Sequence, residues 1–117
     1  MKLSTALSFI VAAGLSSLAW GHAHLKQQTP AQGATVAAPA ELRLAFSEGV
    51  EPAFSEVTLV DGAGDRAPTQ LSRDAGDATV LVAIPAAGLH AGIWTVHWKV
   101  VSVDTHRSEG QYTFTVR

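Results

Sequence analysis

The chain has 117 residues, no cysteine, a single methionine (Met1) and a formal net charge of −2. That length holds one domain, and the near absence of sulfur excludes disulfides, thiolate zinc sites, iron–sulfur clusters, cysteine nucleophiles and thioether sites. With 8 Lys and Arg against 10 Asp and Glu and no basic run, nucleic acid is not an expected partner, and any metal site must be built from nitrogen and oxygen.

The N-terminus comes first. Met1-Lys2, a largely apolar stretch over 3–18, and the small residues Ala19 and Gly21 around Trp20 read as a signal peptide cleaved after Gly21. The apolar run is too short for a membrane anchor and lacks flanking charges. The expected division is therefore a signal peptide over 1–21 and one working domain over 22–117, exported to the periplasm or beyond. Cleavage after Gly21 makes His22 the first residue; cleavage after Ala23 is the alternative and exposes His24 instead.

The rest reads as short strands between turn clusters. A strand precedes Pro30. Leu42, Leu44 and Phe46 alternate with Glu41, Arg43 and Ala45, the period of a half-buried strand. Another covers 57–60 and ends in Asp61-Gly62-Ala63-Gly64-Asp65; a short one covers 70–72 before the turn at 74–77. Residues 79–84 read as a strand buried on both faces, and 85–88 with Gly92 form a corner. The longest strand covers 93–103, and 111–116 closes the chain. Seven strands at this spacing predict an all-β sandwich or barrel. On the longest strand Trp94, Val96, Trp98, Val100 and Ser102 share one face, and Thr95, His97, Lys99, Val101 and Val103 the other.

Five histidines could carry chemistry: His22, His24, His90, His97 and His106. His90 falls in a turn and His97 opposite Trp98, so both read as solvent-facing. Asp104-x-His106 is more suggestive, because residues i and i+2 of an extended chain lie about 7 Å apart with parallel side chains. Loops also use Asp for turn geometry alone, so the pair by itself is weak. A terminal His22 adds a different element. Its α-amine and Nδ1 close a six-membered chelate ring, and deprotonated amine and imidazole nitrogens suit Cu(II). With His106 and Asp104 they would make a tetragonal site for one Cu(II) per chain. An alternative is a local square-planar Cu(II) or Ni(II) site from the amine, two ionised amides and His24, independent of the fold. The sequence has no G-x-S-x-G, no H-E-x-x-H and no phosphate-cradling loop, so no enzyme activity is expected. Glu48, judged alone, is a solvated carboxylate.

Three blocks then carry a resemblance. His22-Ala23-His24-Leu25 with Thr29-Pro30 and Gly33, then Pro39-Ala40-Glu41-Leu42-Arg43-Leu44-Ala45-Phe46-Ser47-Glu48, resemble the mature start of CopC-type copper resistance proteins. The third block is Leu89-x-x-Gly92-x-x-Thr95-Val96-x-Trp98-x-Val100-Val101-Ser102-x-Asp104-x-His106, continued by Gly110-x-Tyr112-x-Phe114-x-Val116. The resemblance covers essentially all of 22–117. It implies a seven-stranded Greek-key β-sandwich or barrel, immunoglobulin-like and cupredoxin-like in appearance. It also implies a periplasmic Cu(II) carrier or buffer in copper resistance or homeostasis, with His22, Asp104 and His106 as ligands and Glu48 accepting from the terminal amine; His24 is kept as a further candidate metal residue. An inner-membrane copper transport protein of the CopD type is the implied partner, and a monomer the implied state. Many members carry a methionine-rich Cu(I) site; this chain has no methionine beyond Met1, so the resemblance narrows to a Cu(II)-only form. Arg107 stands where proline is common. Two other readings remain: a small copper-dependent oxidase with a histidine brace, and a secreted structural β-sandwich whose histidines are incidental.

Overall fold

Alternation in the sequence becomes burial in the computed structural model, which describes residues 23–117; the expected signal peptide and His22 lie outside the described residues. In β3 (Leu42–Phe46), Leu42, Leu44 and Phe46 are buried and Arg43 and Ala45 half-buried. In β7 (Gly92–Val101), Trp94, Val96, Trp98 and Val100 are buried while Ile93, His97 and Lys99 are exposed. The other strands are β1 (Leu25–Thr29), β2 (Thr35–Val36), β4 (Glu56–Asp61), β5 (Arg66–Asp74), β6 (Asp77–Pro85) and β8 (Arg107–Val116), with a 3-10 turn over Pro52–Phe54.

The strands run in the order β1-β3-β6-β5-β4-β7-β8-β2, one sheet curled into a sandwich. The fold turns at β5: Arg66, Ala67 and Pro68 pair with β4, whereas residues 69–74 pair with β6. A strand that changes sheets in this way makes a corner and lets two layers close over one core. The core is formed mainly by the inward faces of β3, β4, β6, β7 and β8. Burying each large apolar side chain there contributes about 1.5–3 kcal/mol, and this packing carries the stability that disulfides supply in many small secreted domains. Trp98 meets Phe46 edge-on, with ring centroids 5.2 Å apart, and lies across the ladder from Gly110.

All seven expected strands are present, and the differences are local. An eighth, β2, is two residues long and pairs in parallel with the end of β8. Strand β5 runs for nine residues rather than three. It lies between two ladders, so backbone pairing extends it beyond 70–72 through Arg66, Pro68 and Arg73, where side chains give little apolar signal. Strand β8 begins at Arg107 rather than Gln111, because β7 pairs with it as far as Val101↔Arg107. In β6, Leu81, Val82 and Ala83 are buried on successive positions as expected, but Ile84 is 45% exposed. Among the described residues no helix is long and apolar enough to cross a membrane.

His97 is exposed as expected. His90 is exposed too, yet it is paired. Its Nδ1 lies 2.9 Å from the Ala91 carbonyl and its Nε2 2.9 Å from Asp61 Oδ2, with the ring 4.8 Å from Trp94. A neutral imidazole can donate from only one nitrogen. Two oxygen acceptors therefore favour the imidazolium, and the Ala91 carbonyl, followed by Asp61, raises the His90 pKa. A raised folded-state value stabilises the protein fully below the unfolded value of about 6.5 and loses that effect as pH rises through the folded value. His90→Gln should thus melt below the wild type at acidic pH, with the gap closing above neutrality. A gap that stays constant with pH would assign the effect to packing on Trp94 instead.

Candidate metal centre

The β7–β8 hairpin ends in a three-residue loop of Val103, Asp104 and Thr105. The Ser102 N–H donates to the His106 carbonyl at 2.8 Å, and the Thr105 N–H donates to the Ser102 carbonyl at 2.8 Å. Thr105 has φ of +73°, the left-handed residue that closes such loops. A β-branched side chain is unfavourable there by about 1–2 kcal/mol, so the loop needs support from outside the hairpin. It has it: the Val103 N–H donates to the Gly49 carbonyl at 2.9 Å, and Ser102 forms an isolated bridge with Val50.

This frame brings Asp104 and His106 together. His106 Nδ1 lies 3.2 Å from Asp104 Oδ1, and the His106 N–H reaches the same oxygen at 3.4 Å. The Ser102 hydroxyl also donates to Oδ1. That bond first, and His106 after it, hold the Asp104 carboxyl below the usual carboxylate range. Asp104 is therefore an anion at neutral pH, the form a metal requires. Both side chains are about half exposed, 44% for Asp104 and 52% for His106, so an ion can reach them from solvent.

The start of the described chain is pinned at the same end of the sandwich. Ala23 is 2% exposed, and its carbonyl accepts from the Ser108 hydroxyl at 2.8 Å, two residues beyond His106. The His24 N–H donates to Ser47 Oγ at 2.9 Å, and the Ser47 N–H returns a bond of 2.9 Å to the His24 carbonyl. The His24 residue is exposed. Among the described residues no three His, Asp or Glu gather closely enough to hold a metal, so His24 does not complete a trio with Asp104 and His106. His22 lies outside the described residues. Glu48 is half-buried beside Ser47, and among the described residues no hydrogen bond ties it into the loop. Sequence reasoning assigned no role to Ser102, although its place on the tryptophan face of the longest strand was the signal that it points inward.

Fold and hairpin rim together define a small immunoglobulin-like β-sandwich carrying an oxygen and nitrogen donor pair on a braced loop. Residues 25–117 match the model of the CopC domain, and the chain belongs to the CopC family. It is 39% identical over 118 residues to Protein YobA of Escherichia coli strain K12, covering 99% of this chain and 95% of that protein. It is 38% identical over 121 residues to Copper resistance protein C of Pseudomonas syringae pv. tomato, covering 97% and 96%. Among solved structures, PcoC, a methionine-rich copper resistance protein from Escherichia coli, superposes with a TM-score of 0.73 at 36% identity, covering 82% of this chain and 99% of PcoC.

Proposed function

We propose that this chain is a periplasmic Cu(II)-binding protein, a carrier or buffer in copper resistance or homeostasis, which holds one Cu(II) through His22, Asp104 and His106. The observation that carries this reading is the Asp104–His106 pair at the end of the sandwich where Ala23 is fixed to Ser108. Amine, imidazole and carboxylate donors fit Cu(II) better than Cu(I), which soft sulfur ligands favour. PcoC is methionine-rich; here the only methionine is Met1. The local square-planar alternative would need the His24 amide ionised, and that N–H is engaged by Ser47. This favours the folded site; resemblance to the family, rather than a contact, suggests Glu48 as the acceptor for the terminal amine. An inner-membrane copper transport protein of the CopD type is the proposed partner. The reading requires no catalytic step.

The test is Cu(II) titration, against a competing chelator, of protein beginning at His22, of its His22→Ala variant and of a form extended by a few N-terminal residues. One tightly held Cu(II) is expected for the first and much weaker binding for the other two. Equal binding by the extended form would sink the terminal chelate, and mass spectrometry of exported protein checks that His22 is first.

A further inference from the structure

We propose that Ser102 is a positioning residue for copper: its hydroxyl fixes the rotation of the Asp104 carboxylate so that one oxygen faces the fold and the other faces the ion. The inference rests on the Cu(II) site proposed above and adds a residue that contacts no metal. Ser102 is 0% exposed, the one polar residue among the fully buried side chains of the described residues. Its neighbours on that face, Trp94, Val96, Trp98 and Val100, are all apolar and buried. A buried hydroxyl without a partner is costly, so its bond partner determines its use. The hydroxyl donates to Asp104 Oδ1, and the His106 carbonyl lies 3.2 Å away. It has a single proton, and the carboxylate is the stronger acceptor of the two.

The backbone leaves the hydroxyl little choice of position. Ser102 is held by its N–H on the His106 carbonyl, by its carbonyl on the Thr105 N–H and by the bridge to Val50. Oδ1 of Asp104 collects the Ser102 hydroxyl, the His106 N–H and His106 Nδ1. Among the described residues Oδ2 receives no hydrogen bond and is the oxygen available to an ion. An exposed aspartate otherwise rotates and meets a metal in several poses; here one pose is prepared before binding, at the same time as the His106 ring. Groups that orient ligands in this way typically matter about 10–100-fold in metal affinity.

The test is a double-substitution cycle read by Cu(II) competition titration and by the Cu(II) electron paramagnetic resonance spectrum. Ser102→Ala should weaken Cu(II) binding about 10–100-fold and change the spectrum. In an Asp104→Ala background the same change should add less than about twofold, because the residue it acts through is gone. An equal loss with and without Asp104 would make Ser102 merely structural, and unaltered binding by Ser102→Ala would overturn the proposal outright. Should the alanine variant fail to fold, Ser102→Cys keeps the size with a weak donor and is expected to show the same loss and spectral change. If Asp104→Ala and His106→Ala bind Cu(II) like the wild type, the underlying site is wrong. If they lose it while Ser102→Ala and Ser102→Cys do not, only the positioning role fails.

Discussion

Gly110→Ala is expected to lower stability by about 3 kcal/mol, at the upper end of the usual cost of overpacking, a fall in Tm of about 15 °C for a domain of this size. A Cβ at Gly110 would sit 2.6 Å from Trp98 Cζ2 and 3.0 Å from Cε2. The indole cannot retreat, because Trp98 is 7% exposed and already meets Phe46 edge-on at 5.2 Å. Nor is the glycine present for its backbone: its φ lies outside the left-handed region, and alanine at an unstrained strand position is intrinsically the better residue. The whole cost is therefore steric. Gly62→Ala is the control, since a Cβ there meets nothing within 4 Å, and it should melt close to the wild type. Similar melting of both variants would disprove the stacking of Trp98 over Gly110.

His106→Ala should have the opposite profile. In the proposed site His106 is a direct ligand, whose loss exceeds that of an orienting group, so Cu(II) affinity is expected to fall by more than about 100-fold. The metal-free protein should hardly change, because His106 is 52% exposed and an exposed pair such as that with Asp104 is worth at most about 1 kcal/mol. Chelator competition and thermal melts of metal-free protein check the two halves. Retained affinity would remove His106 from the site, whereas a large drop in melting temperature would mean that the loop depends on it structurally.

Both outcomes bear on what could be read from the chain alone. The strands whose side chains alternate, β3 and β7, were legible because one face of each enters the core. Of β5 only 70–72 was legible, because Arg66, Pro68 and Arg73 carry no apolar period and the strand is lengthened by its neighbours' backbone ladders. The start of β8 was hidden for a related reason: Arg107, Ser108, Glu109 and Gly110 look like loop residues until β7 pairs with them. At the site, the Asp104-x-His106 spacing singled out the pair, but it is the turn at left-handed Thr105, not an extended chain, that brings the two side chains within 3.2 Å. The brace behind them was not legible, because Ser102, Gly49 and Val50 meet only after β7 packs against the segment following β3. Glu48 illustrates the converse: its neighbour Ser47 holds the chain start, a contact 23 residues long in sequence that no local pattern announces.

The short segment before β3 has a consequence for how molecules meet each other. The Gly33 N–H donates to the Thr113 carbonyl at 2.7 Å, the Thr115 N–H to Ala34 at 2.8 Å and the Arg117 N–H to Val36 at 2.9 Å. Gln32 Oε1 accepts from the Thr113 N–H at 3.1 Å. The outer rim of the hairpin that carries Asp104 and His106 is thus already zipped along its distal half. Farther along it, Arg107, Glu109 and Gln111 present polar side chains, which discourage a foreign strand from docking. Copies of the chain that meet at this rim find one half of it already paired and the other half lined with polar side chains, so it is a poor template for joining sheets.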